Sequence, residues 1–123
     1  MTEAQWHWLL NWPHVDNELV RVAYEEPRLR QLFPWVSMWE LHFSRCTQYP
    51  WSWDVPYIRP QPGGVFKVEG PSRVAFIGEV YTAQAAVAMV ADRLPPGCGP
   101  AVIGDRDALA ATTAGSVRPT GQE

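Results

Sequence analysis

The sequence predicts one α+β domain, in which a small antiparallel sheet of three to five strands has N-terminal helices and one C-terminal helix packed on it. Apolar residues repeat at the helical period near the N-terminus, alternate with polar residues after position 35, and become helical again after position 82. A length of 123 residues suits a single domain. We assign this domain to residues 1–110 and expect residues 111–123, rich in small residues, to be a disordered tail.

Prolines divide the N-terminal helical region. The first helix is predicted over Glu3–Trp12 and ends at Pro13, which cannot continue it. Asp16 is a suitable N-cap for a second helix, because its carboxylate can accept a hydrogen bond from the first turn. Pro27 favours the first turn of a third, short helix.

The chain has seven tryptophans, and all of them lie in its first 53 residues. Trp6 and Trp8 are about 200° apart on a helix with about 100° per residue, so they cannot share one face. We therefore expect at least one of Trp6, Trp8 and Trp12 to be exposed or interfacial, where it would favour a homo-oligomer or a protein partner.

The residues after Trp35 are predicted to form strands. Alternation places apolar residues on one face of the first strand and polar residues on the other: Trp39, Leu41 and Phe43 against Glu40, His42, Ser44 and Cys46. Further strands are expected over Ser52–Ile58, Val65–Glu69 and Arg73–Ile77. Thr82 is the predicted cap of a final helix over Ala83–Leu94.

Charge and motifs exclude several classes of protein. The net charge of -3 and the lack of a basic run argue against nucleic-acid binding. No apolar run reaches the roughly 18 residues of a membrane span, and the acidic start differs from a signal peptide, so we expect a cytoplasmic protein. The two cysteines lack metal-ligand spacing, and no nucleotide or flavin motif is present, so no metal and no cofactor are predicted.

The candidate catalytic residues are His42, Glu40, Asp54 and Tyr57. Glu40 and His42 are about 6.6 Å apart along one strand face, close enough for the carboxylate to orient the imidazole. Asp54 reaches His42 only in some registers of the two strands, and Tyr57 is a possible proton donor. Cys46 is about 13 Å from His42, too far to be its nucleophilic partner. The alternative for Glu40 and His42 is that they lie on the solvated or helix-averted face of a half-buried sheet. The alternative for Asp54 is an edge-strand residue whose carboxylate bonds a turn amide.

The candidate ligand-binding residues are Trp39, Trp51, Trp53 and Arg45. Large rigid rings can wall a pocket for a flat or apolar ligand, since they lose little entropy on ordering. The alternative is that the tryptophans form the core of a small domain and that Arg45 covers the sheet edge.

Several segments resemble a family of small actinobacterial proteins: Ala23–Arg30, Leu32–Pro34 and Glu40–Ser44. The last predicted helix resembles it too, both at its start, Thr82–Ala83, and at the end of the helix and the residues that follow, Arg93–Val102. That family is a domain of unknown function labelled as a natural product biosynthesis protein, and the resemblance covers about residues 4–104. It implies an accessory or tailoring role in a natural-product pathway, acting on a small molecule or peptide. It brings no catalytic residues with it.

Together these observations predict cofactor-free acid/base chemistry, such as cyclisation, isomerisation or elimination, in an aromatic-walled pocket. The alternative is a non-catalytic interaction module, either immunity-like or a partner of a carrier protein. Whether the chain is an enzyme stays open at this point.

Overall fold

The computed structural model describes residues 1–117. It has three helices before a five-stranded sheet and two helices after it. The helices are α1 (Thr2–Leu10), α2 (Asn17–Tyr24), α3 (Pro27–Arg30), α4 (Ala83–Ala91) and α5 (Arg106–Val117). The strands are β1 (Phe33–Ser37), β2 (Glu40–Ser44), β3 (Tyr57–Gln61), β4 (Val65–Glu69) and β5 (Phe76–Val80).

The sheet is a simple antiparallel meander, in which the strand order β1-β2-β3-β4-β5 follows the chain. Each connection joins neighbouring strands, so no crossover is needed. The predicted α+β class is confirmed.

The predicted helix starts agree with the capping geometry. The Asp16 side chain accepts a hydrogen bond from the Leu19 amide, and the Thr82 hydroxyl accepts one from the Ala85 amide. Pro27 opens α3, where its missing N–H leaves no helical hydrogen bond unmade. Local sequence therefore determines where these helices begin.

One face of the sheet packs against the helices and forms the core. Leu41, Ile58 and Val68 contribute from β2, β3 and β4 and are fully buried with residues of α1, α2 and α4. The opposite face, called the polar face below, carries Glu40 and His42. Alternation along β2 thus separates the core from the polar side chains as predicted.

The strand predicted over Ser52–Ile58 is wrong for most of its length. Residues 51–56 form an irregular segment, and β3 begins only at Tyr57. Trp53 has a left-handed backbone with φ of 55°, which a strand cannot contain. The strand predicted over Arg73–Ile77 lies later, as β5.

The hairpin between β1 and β2 removes Trp39 from its predicted strand position. Ser37 pairs with Glu40, so Met38 and Trp39 are the two residues of the turn. Both have positive φ, 52° and 68°, as a type I′ two-residue turn requires. Trp39 is therefore exposed at a hairpin tip.

Helix α5 includes residues 111–117 of the predicted tail, while residues 118–123 lie outside the part that the structure describes. The division into a domain and a disordered tail stays a prediction. Across residues 1–117, no helix combines the length and apolar character needed to cross a bilayer.

Candidate functional site

Glu40 and His42 form a buried pair on the polar face. They occupy the first and third positions of β2, so their side chains project in the same direction. His42 Nε2 lies 3.0 Å from Glu40 Oε1, and the histidine is only 3% exposed. The predicted orientation of the imidazole by this carboxylate agrees with the geometry.

Aromatic rings fix the plane of the imidazole. His42 is stacked between Trp35 and Tyr57, with ring centroids 4.2 and 4.5 Å away and interplanar angles of 14° and 22°. Trp53 meets it edge-on at 5.7 Å. Trp35 reaches this position because it is the direct partner of His42 in the β1–β2 register.

Two arginines surround the Glu40 carboxylate. Arg73 donates to Oε2 at 2.8 Å, and Arg59 Nε lies 3.3 Å from the same oxygen. Burial would raise the pKa of the Glu40 carboxyl, but the hydrogen bonds from Arg73 and His42 hold that pKa below its ordinary value. Glu40 is therefore ionised at neutral pH.

A second buried carboxylate, Glu69, engages Tyr57. The Tyr57 hydroxyl donates to Glu69 Oε1 at 3.0 Å, and Arg59 donates to Oε2 at 2.9 Å. Burial and the hydrogen bond to Glu69 both raise the pKa of Tyr57. The phenol is thus committed to Glu69, and its contact with His42 is ring stacking rather than proton donation.

His42 is neutral at physiological pH. Burial lowers its pKa to about 4, and the neighbouring Glu40 opposes this shift only in part. Because ionised Glu40 can only accept, the single ring proton lies on Nε2. Nδ1 then carries the lone pair, and the contacts of residues 1–117 give it no hydrogen-bond partner. The site offers one oriented basic nitrogen.

The structure does not bring Asp54 to His42. Asp54 Oδ2 accepts from Arg45 at 2.7 Å, while its Oδ1 is buried with no hydrogen-bond partner in the described part of the chain. Since residues 51–56 are not a strand, the register that would have paired Asp54 with β2 does not exist. Arg45 accordingly binds Asp54, and the Ser52 hydroxyl accepts from its backbone amide.

Two of the three predicted wall tryptophans lie at the site. Trp51 stacks on Trp35 at 5.4 Å, and Trp53 meets Trp35 edge-on at 5.2 Å. Trp39 belongs to a different cluster, with its ring 6.4 Å from that of His14. Trp35 takes the place in the wall that was predicted for Trp39.

Sequence reasoning missed four residues of the site: Trp35, Arg59, Glu69 and Arg73. For Trp35, the signal was available in the hairpin register, which sets it opposite His42. Arg59 lies on β3 and Glu69 on the neighbouring strand β4, so a search for oppositely charged cross-strand neighbours could have indicated them. Arg73 lies in the loop before β5, 33 residues from Glu40, and no local pattern indicates it.

The N-terminal tryptophans divide as predicted. Trp6 is fully buried, and its indole N–H lies within hydrogen-bond distance of the carbonyls of Arg30 and Leu32. Trp8, on the opposite side of α1, is 55% exposed. The expectation that at least one of them is exposed is confirmed.

Comparison with protein families gives one finding. A model described as a family of unknown function, DUF6193, matches residues 1–105. Neither the curated proteins nor the solved structures contain a match to this chain.

Proposed function

Because the chain belongs to the family of unknown function DUF6193, which supplies no reaction, we propose its function from the site itself. We infer a small cytoplasmic tailoring or accessory protein of a natural-product pathway that performs cofactor-free acid/base chemistry. The observation that carries the proposal is the 3.0 Å contact between Glu40 and His42, which leaves Nδ1 free as a base.

In this proposal His42 Nδ1 removes a proton from the ligand. Glu40 accepts the hydrogen bond from Nε2–H and stabilises the imidazolium that forms, while Arg73 and Arg59 keep Glu40 ionised. The imidazolium then returns its proton to another atom of the ligand, which gives isomerisation or cyclisation, or to a leaving group, which gives elimination. General acid/base catalysis contributes about 10²–10⁴ in rate when the pKa of the catalytic group lies near the working pH, so we expect a base with a pKa of about 4 to act at the lower end of this range.

The ligand class follows from the exposed side chains beside the Glu40–His42 pair, which is called the dyad below. Trp53 and Arg73 are both exposed, and they offer an aromatic edge and guanidinium N–H groups. A flat molecule with an anionic or carbonyl group suits this combination. Trp53 also holds a left-handed backbone, a conformation that costs about 1–3 kcal/mol and is often found at functional positions.

The roles predicted for the other residues change accordingly. Tyr57 is proposed as a positioning residue that stacks on the imidazole, and not as the proton donor. The pair of Arg45 and Asp54 is proposed to hold the segment that carries Trp53. Trp51 supports Trp35 from behind the imidazole stack.

A chromosomal substitution tests the proposal. Replacing His42→Gln in the source organism should change its secondary-metabolite profile, measured by mass spectrometry, as much as deleting the gene does. His7→Gln, at an exposed histidine outside the dyad, is the matched control and should leave the profile unchanged. A deletion without any metabolic effect would refute the pathway assignment. An effect of deletion but not of His42→Gln, with the variant folded, would refute the dyad alone.

The non-catalytic alternative is favoured by a separate observation, the exposure of Trp8 and Trp39. In that case the metabolite profile should respond to substitutions of these tryptophans and not to His42→Gln. The same experiment therefore separates an enzyme from an interaction module.

A further inference from the structure

Four side chains enclose the imidazole of His42. Trp35 and Tyr57 cover its two faces, with ring centroids 4.2 and 4.5 Å away, and Glu40 occupies Nε2 at 3.0 Å. Because both faces are taken, Trp53 lies against an edge of the ring, with its centroid 5.7 Å away and an interplanar angle of 76°. Together these side chains leave the histidine only 3% exposed.

A ligand needs more room than this enclosure gives. Proton transfer requires the accepting nitrogen to lie within about 2.6–3.2 Å of the atom that carries the proton. A histidine that is 3% exposed presents too little surface for an organic ligand to come so close. Of the four enclosing side chains, that of Trp53 is the most exposed, at 42%, so it can turn into solvent with the smallest loss of contacts.

The backbone around Trp53 confines such a movement to two residues. Ser52 is attached to the end of β2 by two hydrogen bonds, one from its amide at 3.3 Å and one to its hydroxyl at 2.9 Å. Val55 is 4% exposed and belongs to the hydrophobic core. Trp53 and Asp54 lie between these two fixed points, so they can change conformation without disturbing the sheet.

The observed arrangement of Trp53 and Asp54 has two unfavourable features. Trp53 has a φ of 55°, in the left-handed region where the Cβ atom of an L-residue crowds a carbonyl oxygen. Asp54 Oδ1 is buried and has no hydrogen-bond partner among residues 1–117, so a carboxylate oxygen has lost its water without replacement. An arrangement with Trp53 at negative φ and Oδ1 in water avoids both costs.

Two sets of contacts hold the observed arrangement against these costs. Asp54 Oδ2 accepts a charge-assisted hydrogen bond from Arg45 at 2.7 Å. The Trp53 ring packs edge-on against Trp35 and His42. Because the Asp54 side chain is 36% exposed, water competes for this ion pair, and breaking the pair releases Trp53.

We propose that Trp53 is a gate over His42, closed by the ion pair between Arg45 and Asp54, and that a ligand reaches the imidazole when Trp53 turns outward. The inference rests on the proposed function in one respect, since it takes His42 as the group that the ligand must reach. Opening breaks the ion pair and leaves Ser52 and Val55 in place.

The rate at which diethyl pyrocarbonate acylates His42 in the purified chain, followed by peptide mass spectrometry at pH 7, tests the gate. This reagent attacks neutral imidazole nitrogens, and burial keeps His42 neutral at this pH, so the rate measures access. In the wild type His42 should react at least roughly tenfold more slowly than His7, whose side chain is 63% exposed.

Two variants should open the gate by different routes. Trp53→Gly removes the ring and suits the left-handed backbone, and Asp54→Asn weakens the bond to Arg45. Each should raise the rate at His42 by roughly tenfold or more, as expected for the loss of a contact to a charged group or of the gate itself. Circular dichroism checks the fold of both, and if one variant unfolds, the other decides the test.

The matched control is Asp92→Asn, which removes a carboxylate that binds Arg28 at 3.2 Å away from His42 and should leave the rate unchanged. A wild-type His42 that reacts as fast as His7, or folded variants that react no faster than the wild type, would overturn the gate. Equal acceleration by Asp92→Asn would indicate general loosening of the fold and would overturn it too. Because access is measured rather than turnover, the gate can fail while the metabolic effect of His42→Gln holds, and the reverse.

Discussion

The buried, neutral histidine makes the stability of the protein depend on pH in a defined window. In the unfolded chain His42 takes up a proton near its ordinary pKa of 6.5, whereas the folded protein resists protonation until about pH 4. Between these values the unfolded state binds more protons, so the free energy of unfolding falls as the pH is lowered. The contribution of neutral His42 to the free energy of unfolding is fully present above pH 6.5 and is lost as the pH falls toward 4.

The magnitude follows from the two pKa values. Each pKa unit corresponds to about 1.4 kcal/mol, so His42 accounts for roughly 3 kcal/mol of unfolding free energy lost between pH 6.5 and pH 4. The lowered pKa of Glu40 acts in the same direction but at more acid pH, below its ordinary pKa of 4.5, where its stabilising ionised form is lost. The wild type should therefore lose stability steeply in this range.

Urea unfolding followed by tryptophan fluorescence from pH 7 to pH 4 measures this dependence. His42→Gln is expected to lower stability at pH 7 and to flatten the slope between pH 6.5 and pH 4, since no imidazole then titrates on the polar face. Val74→Thr changes an exposed side chain that does not titrate and should keep the wild-type slope. If His42→Gln keeps that slope as well, the assignment of a strongly lowered pKa to His42 is refuted.

Three further substitutions test other parts of the structure by chemical denaturation. Glu40→Gln should destabilise the protein by about 1–3 kcal/mol, because it removes the charge that neutralises two arginines; no change would contradict the ion-pair network. Trp6→Phe should lower the free energy of unfolding by about 2–4 kcal/mol, because packing is lost and the carbonyls of Arg30 and Leu32 lose their donor. Trp8→Phe should change it by no more than about 0.5 kcal/mol, and equal effects of the two substitutions would contradict the assigned helix face. Met38→Asn/Trp39→Gly should stabilise the protein by about 1 kcal/mol or more, and a loss of stability would contradict the left-handed turn.

The sequence predicts those parts of the fold that are determined by residues close together in the chain. Asp16, Pro27 and Thr82 act on the amides within their own helix turn, so they indicate helix starts without knowledge of the tertiary structure. The dyad is local in the same sense. Residues two apart on a strand always share a face, and this brings Glu40 to His42 once β2 is recognised.

The parts that sequence did not predict depend on backbone conformation and long-range contacts. Apolar alternation runs on through Trp39 and Trp53, but both residues adopt positive φ, and alternation fails where the chain turns. That failure removes Asp54 from His42 and places Trp39 at the exposed tip of the β1–β2 hairpin instead of in the predicted wall. Arg73 reaches Glu40 from the connection between β4 and β5, 33 residues further along the chain, and no sequence spacing indicates this contact.

The central claim is that His42 is a neutral imidazole whose Nε2 proton is held by Glu40 and whose Nδ1 is free. Nitrogen-15 NMR of histidine-labelled protein measures this directly, with His42→Gln used to assign the signals. The account predicts at pH 7 a protonated Nε2 and an unprotonated Nδ1 with distinct shifts, and a titration midpoint near pH 4. A midpoint near the ordinary value of 6.5, or a proton on Nδ1, would contradict it.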